Sequence, residues 1–478
     1  MNLDKRYFFC GIGGSGMLPL ALIVQGRGGT VAGSDRSADQ GKLAAKFDSL
    51  RSRGIPLFPQ DGSGVTGADQ ILVASAAVEE SVPDVVKARE VGAERLGRAE
   101  LLAQLFNEAE TGIAVGGTSG KSTVTGMIGW ILHALGRDPT VMNGAIMKNF
   151  VSPDQPFASA LVGSGPDFVS EVDESDGTIV LYHPKVAVLN NVTLDHKSLE
   201  ELRHLFGDFA AKAETVVANL DDDETRLLAA VLPADKLITY SLNGNEADLV
   251  GSDLREEPFA ITLAVTDRRT GETAPLRLQV PGRHNAANAL AAIAAVMAAG
   301  VPLADAARAL EGFTGLRRRF EKVGEANGVT VIDDFGHNPD KIAATLHTLH
   351  ISPGRLLVFF QPHGFGPLAK MGRELIDTFA DGLRPDDVLI MPDPVYHGGT
   401  TDRSVGSERI IEGVIARGRN AEHIAEPPPE RARSAARLLD LARPGDRIVI
   451  MGARDDTLSQ FAQDLVERLA EKETPARH

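Results

Sequence analysis

An α/β fold of three parallel-sheet domains is what this chain predicts, on three observations. Short continuous apolar runs alternate with helix-period segments along the chain, as expected of strands covered on both faces by helices. Two glycine-rich turns, Gly11-Ile12-Gly13-Gly14-Ser15-Gly16 and Gly116-Gly117-Thr118-Ser119-Gly120-Lys121-Ser122, each follow an apolar run and lead into an apolar-periodic segment. The chain has 478 residues, and at about 150 residues per domain three domains are expected.

The first segment, 1–108, opens with a strand at Tyr7–Cys10, the first glycine turn, and a helix at Met17–Gln25. Strands at Thr30–Asp35 and Ile71–Ala74 complete a Rossmann-like sheet. The second, 109–312, starts at Ile113-Ala114-Val115 and the second glycine turn. It continues through strands at Asp167–Ser170, Val186–Leu189 and Thr215–Ala218, and ends in an alanine-rich helix at Asn285–Ala299. The third, 313–478, carries continuous β-rich runs at Thr330–Ile332, Leu356–Phe360, Asp387–Met391 and Arg447–Met451, which reads as a second Rossmann-like sheet. The patch Glu426-Pro427-Pro428-Pro429-Glu430 reads as a loop before a helix, and no internal repeat is visible.

Composition narrows the class. The chain is 43% hydrophobic, enough for several cores, yet no apolar run approaches the ~20 residues that span a bilayer. Its first residues pass straight into a strand, so a cleaved signal peptide is not expected. A single cysteine, Cys10, excludes an internal disulfide and points to a reducing, cytoplasmic compartment. Its place in an apolar strand favours packing over reactivity. A net charge of −16 argues against extended nucleic-acid binding. What these numbers describe is a cytoplasmic α/β enzyme and no more; small-molecule substrates and a monomer or homodimer are the expectation, although composition does not set the oligomeric state.

The second glycine turn carries the chemistry. Successive backbone N–H groups at a helix N-terminus form a concave anion site, so Gly117, Thr118, Ser119, Gly120 and Thr123 are candidates to cradle phosphates. Lys121 supplies a flexible cation for the β/γ-phosphates and the Ser122 hydroxyl suits a Mg²⁺ ligand. The alternative is an ordinary glycine turn capped by Ser or Thr, but Gly-Lys-Ser in register between strand and helix favours nucleotide binding. The first glycine of the general G-x-x-x-x-G-K-[ST] pattern falls at Val115, so the loop is a variant.

The first glycine turn says less. Gly11, Gly13 and Gly16 fit G-x-G-x-x-G, and Asp35 ends the next strand where a ribose-binding acid belongs. Read alone, that suggests an NAD(P)-dependent oxidoreductase. The same glycines suit any diphosphate, so a sugar nucleotide held by Gly11, Gly13, Gly14, Ser15, Gly16, Ser34 and Asp35 is an equal candidate. A tight turn without ligand is the third reading.

In order along the chain, the two glycine turns and Gly33-Ser34-Asp35 are joined by Glu171-Val172-Asp173-Glu174-Ser175-Asp176 and Asn191-Val192-Thr193-Leu194-Asp195-His196. Then follow Pro281-Gly282-Arg283-His284-Asn285-Ala286-Ala287-Asn288-Ala289, Arg318-Arg319-Phe320-Glu321 and Asp333-Asp334-Phe335-Gly336-His337-Asn338-Pro339. This series resembles the Mur ligase family along nearly the whole chain, and most closely its members that attach the first amino acid of peptidoglycan. The resemblance implies the three-domain architecture of that family: an N-terminal UDP-sugar domain (1–108), a central P-loop-type ATPase domain (109–312) and a C-terminal amino-acid domain (313–478). It further implies ATP-dependent joining of an amino acid, L-alanine, to the carboxylate of UDP-N-acetylmuramate through an acyl phosphate.

By the same resemblance Lys121 lies on the phosphates, Ser122 and Glu171 hold one Mg²⁺, and His196 helps hold a second. Phosphoryl transfer between two anions needs just such cations and alignment. The other carboxylates, Asp173, Glu174 and Asp176, read equally as a solvated loop. For His196, core packing is the competing reading, and Asp195 beside it favours ligation. His284 and Asn288, four apart on one helix face, are implied contacts of the ATP base side. Arg319 and Asp333 are implied to reach the phosphates and ribose on domain closure; the alternative for Arg318-Arg319 is a basic surface pair.

The amine side departs from the family pattern. After Phe360-Gln361-Pro362-His363 the alanine-adding members carry two arginines, three residues apart, that grip the amino-acid carboxylate. Here the positions are Gly364 and Pro367, which cannot replace a bidentate Arg–carboxylate contact. His337 and His363 are the candidate amine-side residues. Lys370 and Arg373 could equally be a solvated helix face. Phe335 and Asn338 stand for a Tyr and a His, Ser119 for a His, Ser122 for a Thr, and Lys197-Ser198-Leu199 for Met-Asp-Thr-Tyr. A paralogue using another amine or another carboxylate donor is therefore the alternative.

Overall fold

The computed structural model describes residues 4–175, 177–193, 197–244, 246–395, 403–453, 455 and 457–471. Three sheets organise them. The first takes β1 (Arg6–Cys10), β2 (Thr30–Ser34), β3 (Leu57–Phe58), β4 (Gln70–Ala74) and β5 (Glu94–Gly97) in the order β3-β2-β1-β4-β5. All four pairings are parallel. The order reverses at β1, so the first glycine turn opens at a topological switch point, where doubly wound sheets bind ligands. The helix Met17–Gly26 that follows is apolar on every side and buries its first eight residues, as expected of an element enclosed by neighbours. Cys10 packs in a separate core with Phe8, Val65 and Leu72, and burial pushes its thiol up to about 12.

The second sheet comprises β6 (Thr111–Gly116), β7 (Thr140–Met142), β8 (Ala160–Leu161), β9 (Asp167–Glu171), β10 (Val186–Leu189), β11 (Thr215–Asn219), β12 (Leu237–Ser241), β13 (Leu249–Glu257), β14 (Ala260–Asp267) and β15 (Glu272–Leu278). Its order is β15-β14-β13-β12-β11-β10-β6-β9-β7-β8. Every residue of β6 is buried, and its parallel neighbours are β10 and β9. Chain segments leaving the carboxyl ends of these three adjacent strands therefore converge. The segment β13–β15 was absent from the strands expected above. Its period-two alternation is plain in β15, where Ala274, Leu276 and Leu278 are buried and their neighbours exposed.

The third sheet holds β16 (Glu321–Ala326), β17 (Val329–Asp334), β18 (Leu356–Gln361), β19 (Val388–Pro392), β20 (Asn420–Ile424) and β21 (Arg447–Gly452), in the order β16-β17-β21-β18-β19-β20. β16 is antiparallel to β17. The Asn327-Gly328 turn between them has both residues at positive φ (50° and 74°), the usual chemistry of a two-residue hairpin. The remaining pairings are parallel, and β18 and β21 are wholly buried. The proline-rich patch precedes the helix Ala432–Leu441.

These sheets fall into two compact units. Unit one is Met1–Arg255, Ile261–Gln279 and His284–Leu316; unit two is Glu256–Ala260, Val280–Arg283 and Arg317–His478. The first two sheets thus share a unit. Among the described residues, no helix is long and apolar enough to cross a membrane.

Candidate active site

The phosphate-type loop leaves β6 at Gly116 and enters the helix Lys121–Ala134. Gly120 caps that helix at φ 82°, and a Cβ there would stand 2.5 Å from Asn190 Nδ2 and 2.6 Å from Asn288 Oδ1. Only glycine fits both the backbone and the space. The loop is braced from the end of β10. Thr118 N–H donates to Asn191 O at 3.1 Å. Ser119 N–H and Thr118 Oγ1 donate to Asn191 Oδ1 at 2.8 and 2.9 Å. Ser119 O accepts from Asn190 Nδ2 at 2.9 Å and from Asn191 Nδ2 at 3.0 Å.

Behind this brace the fully buried Tyr240 donates its hydroxyl to Asn190 Oδ1 at 2.7 Å. Asn190 Nδ2 also donates to Asn288 Oδ1 at 3.0 Å, and Asn288 Nδ2 to Asn285 Oδ1 at 3.2 Å. Both ends of the Asn288 amide thus belong to a buried network behind the loop. His284 is exposed at the start of the same helix, Arg283–Ala298. The two residues of the expected helix-face pair have different surroundings.

Lys121, Ser122 and Glu171 come together. Lys121 Nζ donates to Gly117 O at 2.6 Å and to Glu174 Oε2 at 2.9 Å. Ser122 Oγ donates to Glu171 Oε2 at 2.7 Å, with Glu171 at the end of β9. Thr123 follows, half-buried, in the first turn of the helix. A Cβ on Gly144 would lie 2.1 Å from Glu171 Oε1, so the bare backbone there makes room for the carboxylate. The Ser122 hydroxyl and Glu171 carboxylate form an oxygen donor set that fits a hard divalent cation such as Mg²⁺, while the lysine and helix N-terminus beside them favour the anion such a cation accompanies. His196 and its neighbours Leu194 and Asp195 lie outside the described residues, as does Asp176.

Glu174 is not part of a solvated loop. It is buried, and burial pushes its carboxyl up against the pull of the Lys121 ammonium. Asp173 spends Oδ1 on Ser175 N–H at 2.9 Å.

The first glycine turn is pinned from several sides. Gly11 and Ile12 N–H both donate to Ser34 O, at 2.8 and 2.9 Å. Asp35 Oδ2 accepts from Gly13 N–H at 2.9 Å, and its Oδ1 accepts from Ser37 N–H at 2.8 Å. Lys46 Nζ donates to Gly13 O at 3.3 Å. Ser34 is fully buried, its hydroxyl donating to the equally buried Asp84. Gly14 and Ser15 form the exposed tip and Gly16 is half-buried. Each Asp35 oxygen accepts one backbone N–H, so this acid organises the turn and keeps acceptor capacity on both oxygens.

The remaining candidates lie in unit two. Asp333 is fully buried, with Ser459 Oγ donating at 3.0 Å and Arg318 Nε at 3.5 Å. Burial pushes its carboxyl up to about 6. Arg319 donates to Arg318 O at 3.0 Å and lays its guanidinium 4.3 Å from the Phe335 ring centroid, a cation–π contact. His337 stands edge-on to His363 with ring centroids 5.5 Å apart. Burial, with Lys341 nearby, pushes the His337 imidazole down to about 4, which keeps it neutral at physiological pH. Gly364 precedes the helix Phe365–Gly382 at φ 150°, with Pro367 in the first turn. Lys370 and Arg373 are exposed.

Asn190, Tyr240, Glu174 and Gly144 are site residues that sequence reasoning did not assign. Asn190 had a signal, as an amide closing an apolar run one residue before the Asn191 motif. Gly144 had none.

Family models match three stretches of the chain: "Mur ligase family, catalytic domain" over residues 6–110, "Mur ligase middle domain" over 115–296, and "Mur ligase, glutamate ligase domain" over 318–454. The UDP-N-acetylmuramate–L-alanine ligase of Rhizobium meliloti is 34% identical, over 97% of this chain and 96% of its own. That of Streptomyces coelicolor is 35% identical, over 95% and 96%. Among solved structures, the UDP-N-acetylmuramate–alanine ligase of Thermotoga maritima superposes with a TM-score of 0.78 at 26% identity, over 97% and 98% of the two chains. A loop-braced Lys121 beside Ser122 and Glu171, three family models in order and relatives alike over almost their whole length all agree: the chain belongs to the Mur ligase family.

Proposed function

We propose that the protein is an ATP-dependent, ADP-forming ligase that joins L-alanine to the carboxylate of UDP-N-acetylmuramate in peptidoglycan synthesis. The observation that carries this is the convergence of Lys121, Ser122 and Glu171 at the ends of β6 and β9, in a chain whose full-length relatives bear that activity in their names. The γ-phosphoryl group passes to the substrate carboxylate, the amine attacks the acyl carbon, and phosphate leaves. Loop N–H groups and Lys121 hold the triphosphate, while Ser122 and Glu171 hold Mg²⁺, which supplies charge neutralisation between two anionic reactants. His196 is assigned to a second metal position, and His284, Asn288, Arg319 and Asp333 to the nucleotide. Gly11, Gly13, Gly14, Ser15 and Gly16, with Ser34 and Asp35, are assigned to the UDP-sugar. The three segments 1–108, 109–312 and 313–478 divide the UDP-sugar, ATP and amine among them. The enzyme works in the cytoplasm as a monomer or homodimer.

A second reading is favoured by one observation. Gly364, at φ 150° before its helix, and Pro367 in that helix's first turn supply no cation for an amino-acid carboxylate, so a paralogue that uses another amine is the alternative. Incubation with UDP-N-acetylmuramate, Mg-ATP and a panel of amino acids, following phosphate release, separates the two. Release that depends on L-alanine supports the first; release with another amine and none with L-alanine overturns it.

A further inference from the structure

Glu174 has no part in the reaction as described, yet among the described residues it is the charged partner of the loop lysine. Lys121 Nζ sits between Gly117 O at 2.6 Å and Glu174 Oε2 at 2.9 Å, which commits two of the three ammonium N–H groups in fixed directions. The pair is shielded: 6% of the Glu174 side chain and 20% of the Lys121 side chain are exposed. An ionised carboxylate in such a place persists only with a charged or hydrogen-bonding partner. The neighbouring acid Glu171 faces Ser122 instead, so the two glutamates of one short segment each engage a different element of the loop.

Resting on the reading of this loop as the ATP site, we propose that Glu174 is the resting counter-ion of Lys121: it holds the ammonium in the mouth of the loop and competes for it with the nucleotide phosphates. An entering polyphosphate brings oxygens that need the same cation. Lys121 must share or surrender its contact with Glu174, and the carboxylate then faces phosphate charge at short range. Glu174 thus keeps the lysine placed when no nucleotide is bound and lowers the affinity of the filled site. It is a positioning residue, acting through Lys121.

The test is titration of the full-length enzyme with Mg-ADP and Mg-ATP, alongside steady-state kinetics. Glu174→Gln keeps the shape and a hydrogen-bond acceptor but removes the charge. Its Kd for both nucleotides and its KM for ATP are expected to fall about three- to tenfold, the scale of a shielded but not fully buried ion pair, with kcat no higher than in the unaltered enzyme. Glu174→Asp withdraws the carboxylate while keeping its charge and is expected to fall between the two; it carries the test if the Gln variant does not fold. Equal or weaker nucleotide binding in the variants, or a lowered melting temperature without tighter binding, overturns the proposal. If the unaltered enzyme binds neither nucleotide, it is the ATP-site reading that fails.

Discussion

Gly144→Ala places one methyl group against the carboxylate proposed to hold Mg²⁺ and tests how Glu171 is held. The added Cβ would meet Glu171 Oε1 at 2.1 Å, where an unstrained carbon–oxygen contact needs about 3.2 Å. Gly144 does not occupy the left-handed region, so the backbone accepts alanine. Relief comes from displacement of the half-buried Glu171 side chain. A shift of about 1 Å stretches the 2.7 Å contact from Ser122 Oγ past hydrogen-bonding range. Losing one charge-assisted hydrogen bond costs about 1.5–3 kcal/mol, roughly a ten- to hundredfold effect on a binding constant. The assay is the Mg²⁺ dependence of amine-stimulated phosphate release, with thermal melting as the control for folding. A tenfold or greater rise in the half-saturating Mg²⁺ concentration is expected at an almost unchanged melting temperature. An unchanged Mg²⁺ requirement in a folded variant would refute the placement of the metal at Ser122 and Glu171.

Three further outcomes follow from the same geometry. Lys121→Ala should abolish ATP turnover while circular dichroism shows the fold intact. Asn190→Ala strands the Tyr240 hydroxyl and removes donors from Ser119 O and Asn288 Oδ1; a stability loss of about 2–4 kcal/mol in denaturant titration is expected, with weaker nucleotide binding. His337, pushed down to about 4 in the fold, gains a proton more readily in the unfolded chain, where its pKa is about 6.5. Its contribution to stability is therefore complete above about pH 6.5 and is lost as pH falls toward 4, by about 1.4 kcal/mol per pH unit. Denaturation of the protein and of His337→Gln at pH 7 and pH 5 should show the steeper pH dependence only in the former.

The meeting of Lys121, Ser122 and Glu171 was legible because its signals are local. Gly120, Lys121 and Ser122 are adjacent in sequence, and Glu171 closes a strand that reads as a strand. The brace was not legible, since Ser119, Asn190, Tyr240 and Asn288 meet only when β6, β10, β12 and a distant helix fold together. Glu174 read equally as a solvated acid because nothing in its neighbourhood announces a partner 53 residues earlier. Asp35 was recognisable as the acid that follows β2, but its two oxygens are engaged by Gly13 and Ser37 N–H groups that spacing alone does not point to. The main parallel strands were visible as continuous apolar runs. β13–β15 carries a different period, and the alternation of Ala274, Leu276 and Leu278 was lost among Pro275 and charged neighbours.

The central claim is that the loop at Gly117–Ser122 drives amide formation by phosphorylating a carboxylate. Oxygen-isotope transfer tests it most directly. UDP-N-acetylmuramate labelled with ¹⁸O in its carboxylate is turned over with Mg-ATP and L-alanine, and the released phosphate is analysed by mass. The acyl-phosphate route predicts one labelled oxygen per phosphate, since the bridging oxygen leaves with phosphorus when the amine attacks. Amide product accompanied by unlabelled phosphate would contradict it.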